Sequence, residues 1–484
     1  MRFLRMCLLA AALPLSGHVG SPDVFFRGNA GPYSLLVTIR PPQVVPGVAE
    51  IEIRSDSPEV RQIHIVPLRL GYNVAQFAPV PDLAQPSHDD PQFYTGALWL
   101  MTTGSWQVRI DADGARGAGR LSVPVPAVAT RVSGMQKAIG AVLITLGLLL
   151  ALGLVSIVGA AAREGMLEPG KRPEVKVARR ARVAMAATAL LVFGAVWFGG
   201  NWWSAEAGSY SRIIFKPLRL KTSLEPGDRL QLQLEDPGWL NRRTDDLLPD
   251  HGHLMHLYVI RIPEMELVWH LHPERGEDEN FEQRLPAMPA GRYALYGDIV
   301  HANGLAETAT AELDLPQIAG APLIGDDAGG SAPPLANRDY TRVVSPLAGG
   351  YRMVWDRGDA RLRARQAMEF RFHLEDENGK PADGVELYMG MLGHAAFVSA
   401  DRSVFAHVHP SGSVPMPAVQ LAQSENPHAG HLDPHAGMMM MPLSLPAAVS
   451  FPYGFPKPGA YRIFVQMKRA GAIVTGVFDA DVGQ

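Results

Sequence analysis

Strand-length runs of alternating or β-branched residues recur along most of this chain, and two much longer apolar stretches interrupt them. Tyr33-Ser-Leu-Leu-Val-Thr-Ile39, Ala49-Glu-Ile-Glu-Ile53, Ile63-His-Ile-Val66 and Trp106-Gln-Val-Arg-Ile110 read as strands with Pro and Gly turns between them. An immunoglobulin-like sandwich over residues 21–135 is the expected closure. Ala138 to Ala162 is then continuously apolar and long enough to cross a bilayer. Val183 to Gly200 is a second, slightly shorter run, edged by Trp197, Trp202 and Trp203 in the manner of an interfacial belt. Residues 136–203 are therefore expected to form a transmembrane hairpin. Its link carries Arg163, Lys171, Arg172, Lys176, Arg179, Arg180 and Arg182, an excess of positive charge that marks a cytoplasmic loop. Neither run has an ionisable residue at its centre, so the pair reads as an anchor and not as a conduction path.

Beyond the hairpin the strand pattern resumes, and it does so twice. Leu232-Gln-Leu-Glu-Asp236 corresponds to Phe372-His-Leu-Glu-Asp376, and Gly291-Arg-Tyr293 to Gly459-Ala-Tyr461. Each copy is of sandwich size, which places one domain at 204–317 and another at 340–484. The stretch between them, 318–339, is rich in Gly, Ala, Pro and Asp and reads as a flexible joint. At the other end, Arg2 and Arg5 precede the apolar run Met6 to Leu15, the pattern of a signal peptide over residues 1–20. The expected fold is mainly β: three immunoglobulin-like sandwiches and a two-helix transmembrane hairpin. The expected location is a bacterial inner membrane, with the N- and C-terminal domains in the periplasm.

The repeat carries histidine. His251-Gly-His253-Leu-Met-His256 leads to His270-Leu-His272-Pro273, and Met389-Gly-Met391-Leu-Gly-His394 leads to His407-Val-His409-Pro410. Side chains at i and i+2 of a strand share a face, so each His-x-His sets two imidazoles side by side. A hairpin around Ser399-Ala-Asp-Arg402, closed with Val398 facing Ser403, sets His394 opposite His407. In the first copy a loop around Pro263 sets His256 opposite His270. Two three-histidine clusters follow, His256 with His270 and His272, and His394 with His407 and His409. His251, His253, Met389 and Met391 fall on the other face by parity and join only if a glycine marks a bulge. One His-x-His on its own is more often a hydrogen-bonded strand pair than a metal site. Two copies, each with a third His in register, favour a metal.

The second copy also holds Pro427-His-Ala-Gly-His-Leu-Asp-Pro-His-Ala-Gly-Met-Met-Met-Met441. Its His428, His431 and His435, with Met438 and Met440, combine imidazole and thioether, which suits both oxidation states of copper. Zinc is the alternative ion, since histidine clusters bind it well. Thirteen of the 16 His lie beyond residue 250. The single cysteine, Cys7, falls inside the signal segment, which leaves no thiolate for a metal and no disulfide framework. A net charge of -4 and the lack of a basic field argue against a nucleic-acid partner.

Gly393-His394, Asp401, Phe405 to Pro410 and Phe455 to Val465 together resemble the YtkA-like domains. That resemblance implies a small immunoglobulin-like sandwich associated with metal handling, and it implies no catalytic residue. The first copy is similar more weakly, with Ala287-Met-Pro-Ala where the second has Phe-Pro-Lys-Pro. The N-terminal region with its helix is loosely similar to FixH-like accessory proteins. The expected function is a membrane-anchored periplasmic metal-binding protein, with copper the first choice, for resistance, buffering or delivery to a metal transporter or oxidase. The alternative is a protein that assembles or docks onto such a membrane complex without metal. An enzyme is not expected: Glu266, Asp298 and Asp401 are candidate bases that the sequence does not position.

Overall fold

The computed structural model describes residues 23–71, 77–132, 134–168, 170–226, 228–276, 280–359, 361–424 and 444–484. Residues 1–20, read above as a signal peptide, and the loop with His428, His431, His435, Met438 and Met440 lie outside the described residues. The chain divides into two compact units, Ala129–Ile214 and the remainder. The smaller unit is a pair of helices, Lys137–Glu164 and Val175–Ile213, both long and apolar enough to cross a membrane. They meet where Gly159 faces Met185, a spot where any larger side chain would strike the thioether.

The larger unit is mainly β and contains the three immunoglobulin-like sandwiches expected. Residues 24–127 form a five-stranded and a four-stranded sheet packed on each other. Its strands alternate as the sequence requires: Leu35, Val37, Ile39, Ile51, Ile53, Ile63 and Ile65 point inward and are fully buried. The second sandwich is one continuous sheet folded over its own core. Its halves join through a single parallel pair, Arg219 with Thr310. The third places the sheet containing Met368–Glu375 against the sheet containing Gly459–Arg469.

Two hairpins carry the histidines of the repeat. In the second sandwich His256–Ile262 pairs with Leu267–Leu271 and with Gly291–His301. In the third, His394–Ser399 pairs with Phe405–Val408 and with Gly459–Arg469. Both are buried on both faces. Leu257, Val259 and Leu271 enter the core of the second sandwich, and Ala395, Phe397, Ala406 and Val408 that of the third. The opposite faces meet each other: Tyr258, Ile260 and Val268 pack with Ala396, Val398, Phe405, Phe464 and Val477 in one cluster. Each large side chain so buried contributes about 1.5–3 kcal/mol. The repeats are thus docked sheet to sheet, with their histidines along the shared seam.

The segment read as a flexible joint belongs to this seam. Ala328–Ser331 is a strand paired with Leu267–Leu271, and Leu335 is buried in the seam's apolar cluster. Gly330 serves close approach, for a Cβ there would lie 2.7 Å from Thr475 Cβ. Arg462, fully buried, binds Asp479 and donates to the carbonyls of Glu264, Met265 and Pro333.

Candidate metal centre

Both hairpins close two residues further along than the sequence count assumed. Val398 faces Phe405, not Ser403, and Tyr258 faces His270. Carrying the registers one step past their last pairs, Leu257–Leu271 and Ala395–Val408, sets His256 across from His272 and His394 across from His409. A shift of two preserves the face, so every imidazole remains on the seam.

The parity argument fails for the x-Gly-x positions, because these residues form tight turns and not strand. Asp250 and His253 exchange backbone hydrogen bonds at 2.8 and 2.9 Å, as Tyr388 and Met391 do at 2.7 and 3.0 Å. The central residues all have positive φ: 51° at His251, 88° at Gly252, 50° at Met389 and 79° at Gly390. That is the pattern of a type I′ turn. A non-glycine residue held there carries strain, in His251 as in Met389. The turn swings His251 back onto the seam, with its ring 5.3 Å from His394 and 5.0 Å from His409. The contact that Met389 makes with the cluster is a backbone hydrogen bond to His251. Met391 stands at the turn's other end, paired with Tyr388.

Among the described residues eight imidazoles therefore form one cluster in place of two. His256, His270 and His272 are a trio whose ligand nitrogens lie within 4.8 Å of one another, as expected. The second trio within that limit is His251, His394 and His409, drawn from both domains. His407, assigned by the sequence to the second trio, sits between the two: its ring is 5.1 Å from His256, 5.4 Å from His270, 5.5 Å from His394 and 4.7 Å from His409. His253 lies at the rim, 28% exposed, its ring 4.1 Å from that of His272.

The surrounding acceptors fix the tautomers of the first trio. His256 Nε2 is 3.1 Å from the Asp250 carbonyl, which only accepts, so Nε2 carries the proton and Nδ1 a lone pair. His270 Nδ1 is 2.9 Å from Gln466 Oε1. The Gln466 amide is oriented by Thr475, whose hydroxyl donates to the Gly329 carbonyl and so accepts from Gln466 Nε2. His270 thus donates from Nδ1 and keeps a lone pair on Nε2. His272 Nδ1 meets Asp327 Oδ1 at 3.1 Å, which leaves its Nε2 with a lone pair and no partner. His256 Nδ1 and His270 Nε2 are 3.1 Å apart, two lone pairs facing each other. Burial, with the neighbouring imidazoles second, pushes both rings well below the usual histidine pKa, so no proton fills the gap at neutral pH.

The same holds across the seam. Burial drives His394 and His409 well below the ordinary histidine range and His251 to about 4. Among the described residues, both ring nitrogens of His394 and Nε2 of His251 and His407 are buried without a hydrogen-bond partner, and the His409 ring meets the Val414 backbone. Burial also raises Asp250 to about 6. Buried polar atoms left unpaired cost about 1–3 kcal/mol each. Each of the buried rings His251, His394 and His409 is neutral and so offers the cavity one lone pair, its other nitrogen carrying the proton.

The sequence named Asp298 only as an unplaced candidate base and did not single out Asp326 or Gln466, which also steady these rings. Asp326 meets His253 at 3.2 Å, and Asp298 meets His407 at 3.5 Å. Asp298 and Gln466 hold equivalent places, across from His256 and His394 in their own sheets. Each reaches over the seam to the other repeat's middle histidine, Asp298 to His407 and Gln466 to His270. The signal available was the repeat itself, which aligns these two positions. Of the other candidate bases, Glu266 pairs with Arg261 and Asp401 with Lys457 and Ser399, so neither joins the cluster through those bonds.

Residues 346–484, which hold three of the eight histidines, match a family described as a domain of unknown function (DUF8832). No curated protein matches the chain. Among solved structures it is similar to a tetra-tandem repeat in the extending region of a large adhesion protein, at 10% identity and TM-score 0.17, over 90% of this chain and 71% of that one. It is similar to the fibronectin(III)-like modules of Clostridium thermocellum CbhA at 10% identity and TM-score 0.20, over 58% of this chain and 94% of that one. A third likeness is to Salmonella alpha-2-macroglobulin reacted with methylamine, at 8% identity and TM-score 0.19, over 97% of this chain and 24% of that one. Likenesses this distant say nothing about function.

Proposed function

We propose that this chain is a membrane-anchored metal-binding protein of the bacterial periplasm, with copper as its ion, and that it serves resistance, buffering or delivery. One observation carries the reading. His256 and His270 turn lone pairs toward each other at 3.1 Å inside a buried seam, and His272 brings a third. Nitrogens bound at about 2.0–2.1 Å to a tetrahedral ion stand roughly 3.3 Å apart, so a metal turns this repulsion into coordination. The carboxylate behind His272 is the usual support of a metal-bound imidazole. All-nitrogen ligation suits copper(II) first and zinc second in affinity. The two apolar helices and the basic link between them support an anchor that leaves the sandwiches outside the cytoplasm. The YtkA-like resemblance of the last domain agrees with metal handling, and a metal transporter or oxidase in the same membrane is the proposed partner.

The test is elemental analysis and calorimetric titration of the purified chain with copper(II) and with zinc. Tight copper binding that His270→Ala weakens by about 100-fold or more is the expected result. A chain that takes up neither ion, or a variant that binds as the original does, removes the proposal. The cluster would then be the core of a docking protein.

A further inference from the structure

We infer that the seam holds two metal ions per chain, one in each trio, with His407 between them, and that neither repeat can build the second site alone. The inference rests on the proposed function and adds an ion and a division of labour to it.

The first trio is supplied wholly by the second sandwich. The second trio is not: His394 and His409 come from the last domain, and His251 from the turn of the preceding one. Three nitrogens within 4.8 Å of one another are a sufficient donor set for an ion that keeps one position open. The second trio has the stronger need of a ligand, since among the described residues both nitrogens of the fully enclosed His394 ring lack a partner, while the His409 ring meets the Val414 backbone. A single ion held by the first trio leaves those atoms unsatisfied. Rings of the two trios approach no closer than 6.3 and 6.4 Å in the pairs His270–His394 and His251–His256, so each trio surrounds its own centre. His407 is the link, because its ring lies 4.7–5.5 Å from members of both trios and its Nε2 has no partner among the described residues. Asp298, from the other repeat, steadies its Nδ1 side at 3.5 Å. The crossing of Asp298 and Gln466 over the seam means that docking the repeats and completing the sites are one event.

The experiment uses the full-length chain in detergent, with His428, His431 and His435 changed to Ala so that their loop contributes no imidazole. It is loaded with copper(II), freed of excess metal, counted by elemental analysis and examined by electron paramagnetic resonance. Two ions per chain and a spectrum broadened by two neighbouring spins are expected. His251→Ala should lower the count to one and restore an isolated-copper spectrum. Should that variant not fold, His409→Gln serves the same purpose. One ion in the unaltered cluster overturns this inference and leaves the proposed function standing, whereas none overturns both. Two ions that persist without spin coupling, or that survive loss of His251, also overturn it, since the second ion would then lie elsewhere.

Discussion

His272 is useful to a metal because Asp327 holds the proton on its far nitrogen and also accepts from its backbone N–H at 2.9 Å. Asp327→Ala should therefore lower copper affinity by about 10–100-fold while leaving the ligands in place, as titration of the variant would show. The protonation of the same rings sets an acid limit on the metal-free protein. His251, His256, His270, His272, His394 and His409 are all held below their unfolded pKa near 6.5. Below pH 6.5 the unfolded chain takes up protons that the folded one refuses, so folding loses up to about 1.4 kcal/mol per pH unit for each such group. Asp250, raised to about 6, acts in the opposite sense, binding its proton in the folded state between pH 4 and 6. Asp23 and His301, also raised, act in the same sense as Asp250, and three groups against six still leave denaturant midpoints falling from pH 6.5 toward 4, where a flat profile would contradict the burial described.

The hairpins show why a count along the chain found the right face and the wrong partner. Parity depends only on the two-residue period of a strand, which the His-x-His spacing reveals directly. Register depends on where the turn closes, and Ser399 accepts the Val404 N–H to close it two residues later than assumed. His251 was invisible to parity because a turn with positive φ has no strand period, although the glycine beside it announces such a turn. The fold class was legible in the same way, from alternation and from two uninterrupted apolar runs. What no pattern reveals is which outer faces meet: the pairing of Tyr258 with Phe405, or of Arg462 with the Pro333 carbonyl, joins segments remote in sequence. Composition misled most over 318–339, where glycine reads as slack and in fact lets Ala328–Ser331 lie against Thr475. Gly330→Val should force that strand away, at a cost of about 1–3 kcal/mol. Because Asp326 and Asp327 directly precede the strand, copper affinity should fall with it. Unchanged affinity in a folded variant would show that the strand does not position the carboxylates.

The three sandwiches of the larger unit share side chains as well as surfaces. Phe25, from the first strand of the N-terminal sandwich, is fully buried in the core of the last one, its ring 5.5 Å from Tyr453. Around it the backbones pair: Arg27 N–H donates to the Ser411 carbonyl at 2.7 Å, and Ser413 N–H to the Phe25 carbonyl at 2.9 Å. Gly412 is required there, for a Cβ would lie 1.9 Å from that carbonyl oxygen. The strap is two residues past His409, so the N-terminal sandwich braces the end of the hairpin that carries the second trio. Truncating a phenyl ring in such a core costs about 3–5 kcal/mol. Phe25→Ala should thus destabilise the last sandwich although the mutation lies in another domain. Calorimetry of the metal-free protein should show the three sandwiches melting in one transition, and the variant lowering that whole transition. Copper in hundred-fold excess over its dissociation constant should add about 2.7 kcal/mol per site and raise the same transition. A separate N-terminal transition, untouched by copper, would mean that the brace is a contact without energetic consequence.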